Sequence, residues 1–73
     1  MATPAEIQAS ADSANTMFVW RIEKSISIDA TYDSHYVTGI CAPYAGRSRW
    51  CNTTKAGNAA AQVAEINAAL TAN

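Results

Sequence analysis

The spacing of apolar residues changes from a helical to a strand-like period near Asn15. Before that point, Thr3 can cap a helix, Pro4 fits its first position, and Glu6 completes a capping box. We predict a helix that runs to about Ala14, with Asn15 as its C-terminal stop. Its apolar stripe is thin and consists of Ile7, Ala11 and Ala14. Such a helix packs loosely or contacts a partner.

Alternation with a period of two follows the helix and predicts a half-buried strand. The apolar residues occupy the even positions Phe18, Trp20, Ile22, Ile26 and Ile28. Lys24 interrupts this set, which predicts a β-bulge or a sharp twist at that point. A turn at 23–25 is the alternative. We expect the even positions to face the helices.

The rest of the chain predicts two more strands and a second helix. The strands are expected at 36–42 and 47–53, on either side of a turn at 43–46, and 29–34 is turn-rich. A helix is expected to begin between Lys55 and Ala59 and to end near Ala72. Its stripe is Ala59, Val63, Ile66 and Leu70. Ile40 and Trp50 are expected to join the buried sheet face.

This order of elements, α-β-β-β-α, predicts an α+β fold in one small domain over residues 1–73. Short connections favour a three-stranded antiparallel meander. Both helices then pack on one sheet face and form a two-layer structure.

The opposite, odd-numbered sheet face is the predicted contact surface. Its predicted members are Met17, Val19, Arg21, Glu23, Val37, Gly39, Cys41, Arg47, Arg49 and Cys51. Arginine and methionine are enriched where proteins meet proteins, although a solvated face with cross-strand pairs has the same pattern. Tyr44, in the turn, offers contact area at a low entropic cost, although it can also fold back on the sheet. We therefore predict protein binding through Arg21, Tyr44, Arg47 and Arg49.

Cys41 and Cys51 bracket the same turn. If the hairpin is centred on Gly46, the two cysteines lie opposite each other, at a separation that a disulfide can bridge after a small adjustment. We favour the alternative of two reduced, small apolar residues on a strand. One histidine and a nine-residue gap do not make a zinc site.

Catalytic and cofactor motifs are not recognisable in the sequence. Asp33, Ser34 and His35 are the residue types of a hydrolytic triad, but consecutive side chains diverge, so a turn is expected instead. We found no convergent acid–base set, phosphate loop or metal cluster, and we predict a protein that is not an enzyme and has no cofactor.

Composition and charge limit the partners. The net charge of −1 disfavours nucleic acid and anionic membranes as the main target. No apolar run is long enough to span a membrane, and the N-terminal segment lacks the features of a signal peptide. We expect a cytoplasmic protein. If a phage encodes it, the compartment is the cytoplasm of the host cell.

One resemblance concerns the second helix. The segment 55–64, Lys-Ala-Gly-Asn-Ala-Ala-Ala-Gln-Val-Ala, together with the α-β-β-β-α order, resembles the end of a double-stranded-RNA-binding domain. The family has several lysines where this chain has Lys55 alone, and its Gly-Pro-x-His loop is absent. The resemblance implies the architecture and, as a further alternative, duplex RNA binding through Lys55, Arg47 and Arg49.

These observations favour a small protein-binding module that occupies a larger protein partner. Small inhibitors encoded by phages and mobile elements are similar in general character. The alternative is a structural subunit of a larger assembly, such as a virion component, because both helices bury little area for a free monomer. That alternative includes a homo-oligomer.

Overall fold

The computed structural model describes residues 1–14 and 18–72 and has the predicted α-β-β-β-α order. The elements are α1 (Pro4–Ala14), β1 (Trp20–Ser27), β2 (Tyr32–Gly39), β3 (Ser48–Thr54) and α2 (Ala59–Thr71). The strands form one antiparallel sheet in the order β1-β2-β3. The predicted meander and the α+β fold class are therefore confirmed, although β2 begins four residues earlier than expected.

The capping box that the sequence predicts begins α1. The backbone amide of Glu6 donates to Thr3 Oγ1 at 3.2 Å, and the amide of Thr3 donates to Glu6 Oε1 at 2.8 Å. Two amides that no intrahelical carbonyl can reach are thereby satisfied. Asn15, the predicted stop signal, lies outside the described residues.

A capped, alanine-rich helix ends the fold. Asn58 Oδ1 accepts from the amide of Ala61 and caps α2. Ile66 and Leu70 are buried, as their spacing predicts. Among residues 1–14 and 18–72, no helix has the length and apolarity needed to cross a membrane.

Both helices lie on one face of the sheet. α2 packs on β3, and α1 packs on α2 and on the start of β1. The shared core consists of Ile7, Ala11, Trp20, Val37, Tyr44, Cys51, Ile66 and Leu70. Trp20 is fully buried, and its Nε1 donates to Asn67 Oδ1 of α2 at 2.8 Å. This hydrogen bond gives the indole N–H an acceptor, which a buried tryptophan needs.

A β-bulge determines which side chains of β1 face the helices. Ile22 pairs with Val37 and Lys24 pairs with Tyr36, so Glu23 is an extra residue in the ladder. Side chains alternate strictly along a strand, so one extra residue moves all later side chains to the opposite face. The bulge predicted at Lys24 is confirmed, and the alternative of a turn at 23–25 is wrong.

The predicted assignment of the two sheet faces is wrong for most of the sheet. Ile26, Ile40 and Trp50 were expected to be buried, but they are 47%, 44% and 45% exposed. Val37 and Cys51 belong to the face that was expected to be open, and both are fully buried under the helices. The register explains this result, because Trp20 and Ile22 of β1 pair with odd positions of β2, which in turn pair with odd positions of β3.

The connection between β2 and β3 is longer than the sequence suggested. Thr38 pairs with Ser48, so the hairpin is centred on Pro43 and not on Gly46. A Cβ atom on Gly39 would lie 1.9 Å from the carbonyl oxygen of Tyr44, so only glycine allows the loop to fold back there. The regular strand pairing therefore ends at Gly39, before the predicted turn.

Candidate functional site

Side chains from the helices cover part of both outer edges of the sheet. On β1, Gln8 Nε2 donates to the carbonyl oxygen of Trp20 at 2.9 Å, and Gln8 Oε1 accepts from the amide of Ile22 at 2.8 Å. At the end of β3, the Glu65 carboxylate accepts from the amide and the hydroxyl of Thr54. Unpaired strand edges invite pairing with other chains. These two side chains block strand addition where they bind.

The sheet face opposite the helices is uncovered in the described structure. We call it the open face. Its residues are Arg21, Lys24, Ile26, Tyr32, Ser34, Tyr36, Thr38, Ser48, Trp50 and Asn52. The central row across the three strands is Lys24, Tyr36 and Trp50.

Large apolar side chains on the open face are exposed to solvent. Trp50 is 45% exposed, Ile26 47% and Tyr32 41%, and Ile28, just beyond β1, is 50% exposed. The rings of Trp50 and Tyr36 meet edge to face, with centroids 5.5 Å apart and an interplanar angle of 63°. This geometry is a favourable one for aromatic pairs, so the two rings hold each other in a defined arrangement.

The cations at described positions of the open face are Arg21 and Lys24. Arg21 Nε lies 2.6 Å from a carboxylate oxygen of Glu23, the bulge residue. Lys24 is exposed, and within the described part of the chain its ammonium group has no hydrogen-bond or ion-pair partner. The uncompensated charge of this face therefore lies in its central row.

The four residues predicted to bind a partner do not share one surface. Arg21 lies on the open face as expected. Tyr44 is only 9% exposed and belongs to the core, so its predicted exposure is wrong. The guanidinium of Arg47 donates to Leu70 O and that of Arg49 to Ala69 O, and both donate to Ala72 O, at 2.8 to 3.4 Å.

The two arginines thus bind the carbonyl groups that end α2. The last carbonyls of a helix have no intrahelical donors and carry partial negative charge, so cations are favourable there. This role comes from tertiary structure, because α2 has no basic residue in its own last turn. Met17, another predicted member of the contact surface, lies outside the described residues.

The cysteines are not opposite each other. Cys51 pairs with His35, and Cys41 lies beyond the end of β2. Both sulfurs are free thiols in the structure. Burial raises the pKa of the Cys51 thiol, while nearby Arg49 opposes that shift. The predicted cross-strand alignment of the two sulfurs is therefore wrong, and Cys51 is part of the core.

A buried histidine joins the three strands on the helix-facing side. His35 Nδ1 is 2.6 Å from Ser25 Oγ, and Nε2 is 2.8 Å from Thr53 Oγ1. Burial lowers the pKa of His35, while Asp33 opposes this shift. Asp33 to His35 lie within β2, so the predicted turn is wrong. The neutral ring forms a hydrogen bond with each of the two hydroxyl groups and thereby links β2 to both β1 and β3.

The described structure includes a small cavity beside β1 and shows no group of metal-binding side chains. A cavity of about 260 Å³ is lined by Gln8, Asp12, Phe18, Trp20, Arg21 and Ile40. This volume is below the roughly 300–1,000 Å³ of typical ligand pockets. Within 1–14 and 18–72, no three His, Cys, Asp or Glu side chains are grouped so that they could hold a metal ion.

The structure also shows where the lysine of the RNA-binding resemblance lies. Lys55 Nζ contacts Ser27 Oγ, and it lies 3.7 Å from Asp33 Oδ1.

No family model, curated protein or solved structure matches this chain. Its own surface is therefore the guide to its function.

Sequence reasoning did not identify the row of Lys24, Tyr36 and Trp50. The signal that could have found it was the interruption of alternation at Lys24. A bulge there moves the later side chains of β1 to the opposite sheet face, so Ile26 lies on the same face as this row.

Proposed function

We propose that this chain is a small, non-enzymatic protein-binding module that occupies a larger protein through the open face. The observation that carries the proposal is the exposed aromatic and aliphatic surface around Trp50, Tyr36 and Ile26. Exposed apolar patches of this kind mark interaction sites, and aromatic residues dominate interface energetics.

The remaining surface supports the choice of this face. Gln8 and Glu65 cover parts of the two sheet edges. Arg47 and Arg49, which the sequence suggested as contacts, have their guanidinium groups bound to α2. On the open face, an aromatic pair and exposed aliphatic side chains lie side by side on neighbouring strands.

This type of binding suits an inhibitor. A chain of 7.7 kDa that covers a functional surface of its target acts by steric exclusion and needs no catalytic group of its own. We place this activity in the cytoplasm, which is that of the host cell if a phage or mobile element encodes the chain.

The test is capture of a partner from the native host, followed by measurement of its affinity for defined variants. Isothermal titration with the purified partner should show that Trp50→Ala weakens binding at least about thirtyfold, as expected for an interface hot spot. Phe18→Ala, which removes another exposed aromatic at 64% exposure, and Arg49→Ala are the controls and should bind like wild type. Equal affinity of wild type and Trp50→Ala would contradict the proposed site.

Self-assembly is the second candidate, favoured by the exposed alanines of α2 as well as by the open face. Ala60, Ala61, Ala64 and Ala68 are all exposed, and small side chains let another helix approach closely. Sedimentation velocity separates the candidates. A monomer over a wide concentration range supports a partner-binding module, and a closed oligomer or a particle supports a structural subunit.

A further inference from the structure

We propose that the partner presents an apolar protein surface with a carboxylate that pairs with Lys24. This inference rests on the proposed function and specifies the chemistry of the partner. The described part of the open face has one cation without a partner, and it lies in the row that also contains Tyr36 and Trp50.

The position of Lys24 defines what can face it. Ile26 lies on the same strand face, and Tyr36 is directly opposite on β2. When a partner covers these apolar side chains, water is excluded and the ammonium group loses hydration. An acidic side chain of the partner can replace that hydration with a charge-assisted hydrogen bond. A neutral or basic partner surface leaves the charge unpaired.

Arg21 does not have the same requirement. Its guanidinium already pairs with Glu23, with the side chains 62% and 40% exposed, at the end of β1 that precedes the bulge. An exposed pair of this kind contributes little to affinity. We therefore expect one dominant carboxylate on the partner, and we expect it to face Lys24 and not Arg21.

Two other occupants fit the charges less well. A second copy of the chain presents the same open face, where the carboxylate beside Arg21, that of Glu23, is already paired. A nucleic-acid strand needs several cations along its phosphates. The open face offers Lys24 and a compensated Arg21, in a chain whose net charge is −1.

The experiment uses the full chain as bait for a random peptide library displayed on phage. We expect the selected peptides to combine aromatic or aliphatic residues with at least one Asp or Glu. Synthetic versions of these peptides are then titrated against wild type, Trp50→Ala, Lys24→Ala and Lys24→Glu. Arg49→Ala is the control variant that removes a cation from the helix-facing side. Far-UV circular dichroism verifies that each variant is folded.

We expect Lys24→Ala to weaken peptide binding about tenfold and Lys24→Glu to weaken it further. A peptide in which Lys replaces its acidic residue should bind Lys24→Glu better than wild type. This charge exchange identifies the pair directly, because a variant that had merely lost its structure would not reverse the preference.

Three results would overturn the inference. The first is binding that depends on Trp50 but shows no preference for acidic peptides, in which case the proposed function stands and this partner chemistry fails. The second is a selection that yields no peptide whose binding depends on Trp50, in which case both fail. The third is a homodimer, or a complex with single-stranded oligonucleotides, that Trp50→Ala abolishes, because the face then has a different occupant.

Discussion

Replacing Gln8 by Ala should destabilise the fold by more than an ordinary helix-surface substitution. The Gln8 amide makes two hydrogen bonds with the outer edge of β1, at 2.9 Å to Trp20 O and 2.8 Å from the amide of Ile22. Each such bond contributes about 0.5–1.5 kcal/mol net, so the loss should be about 1–3 kcal/mol. In a domain of this size, every 1 kcal/mol lowers Tm by about 4–8 °C.

A second substitution tests the hydrogen-bond geometry. Gln8→Glu has the same shape and can still accept from the Ile22 amide, but at neutral pH it has no proton to donate to Trp20 O. We expect this variant to be at least as destabilised as Gln8→Ala at neutral pH. A carboxyl that faces a carbonyl has a raised pKa in the folded state, so the variant should recover stability relative to wild type as the pH falls.

Urea unfolding followed by circular dichroism measures both effects as a change in midpoint at constant m. Sedimentation velocity on the same samples measures association, which should increase when the edge of β1 is uncovered. Asp12→Ala is the control. It removes only the bond from Gln8 Nε2 to Asp12 Oδ1 at 3.0 Å and should cost less than either Gln8 variant. A Gln8→Ala protein that stays within about 0.5 kcal/mol of wild type and associates no more than wild type would refute the edge-covering role.

Two further predictions concern the interior and the end of α2. Burial lowers the pKa of His35 below its ordinary value of 6.5, so the unfolded chain binds the proton first. Stability should therefore be full above about pH 6.5 and decrease as the pH falls towards the folded pKa, with a slope of at most about 1.4 kcal/mol per pH unit. Urea unfolding across this range should show that this decrease is absent in His35→Gln. Replacing Arg47 and Arg49 together by Ala should cost about 1–2 kcal/mol. Hydrogen exchange should accelerate in the last turn of α2, while affinity for the partner stays unchanged; slow exchange there would show that α2 does not depend on the arginines.

The parts of the fold that were predicted correctly depend on neighbours in sequence. The capping box joins residues three apart, and both of its hydrogen bonds form. Ile66 and Leu70 are four apart, and both are buried on one side of α2. The meander follows from short connections between strands. Each of these predictions depends on residues that are close in sequence, so contacts between distant segments have little effect on it.

The predicted site depended on contacts that are distant in sequence. The hairpin centre shifted because Gly39 allows the Tyr44 backbone to approach closely, which no turn propensity encodes. In the sequence, Arg47 and Arg49 resemble free surface charges. Only the fold shows that the C-terminal carbonyls of α2 lie beside β3 and accept from both guanidinium groups. A residue's partner across the fold, and not its own type, determined whether it was available to bind another protein.

The chemical character of the open face depends largely on Glu23. If Glu23 were paired in a regular ladder and not bulged, simple alternation would place Ile26 on the same side as Trp20, under the helices. The bulge instead turns Ile26 towards solvent, where it is 47% exposed. Exposure of a large aliphatic side chain has a hydrophobic cost that the folded monomer does not recover, of order 1 kcal/mol for a half-exposed side chain. A bulge that creates this exposure beside Lys24 and the aromatic pair is therefore better explained by a contact with another molecule than by the stability of the isolated chain.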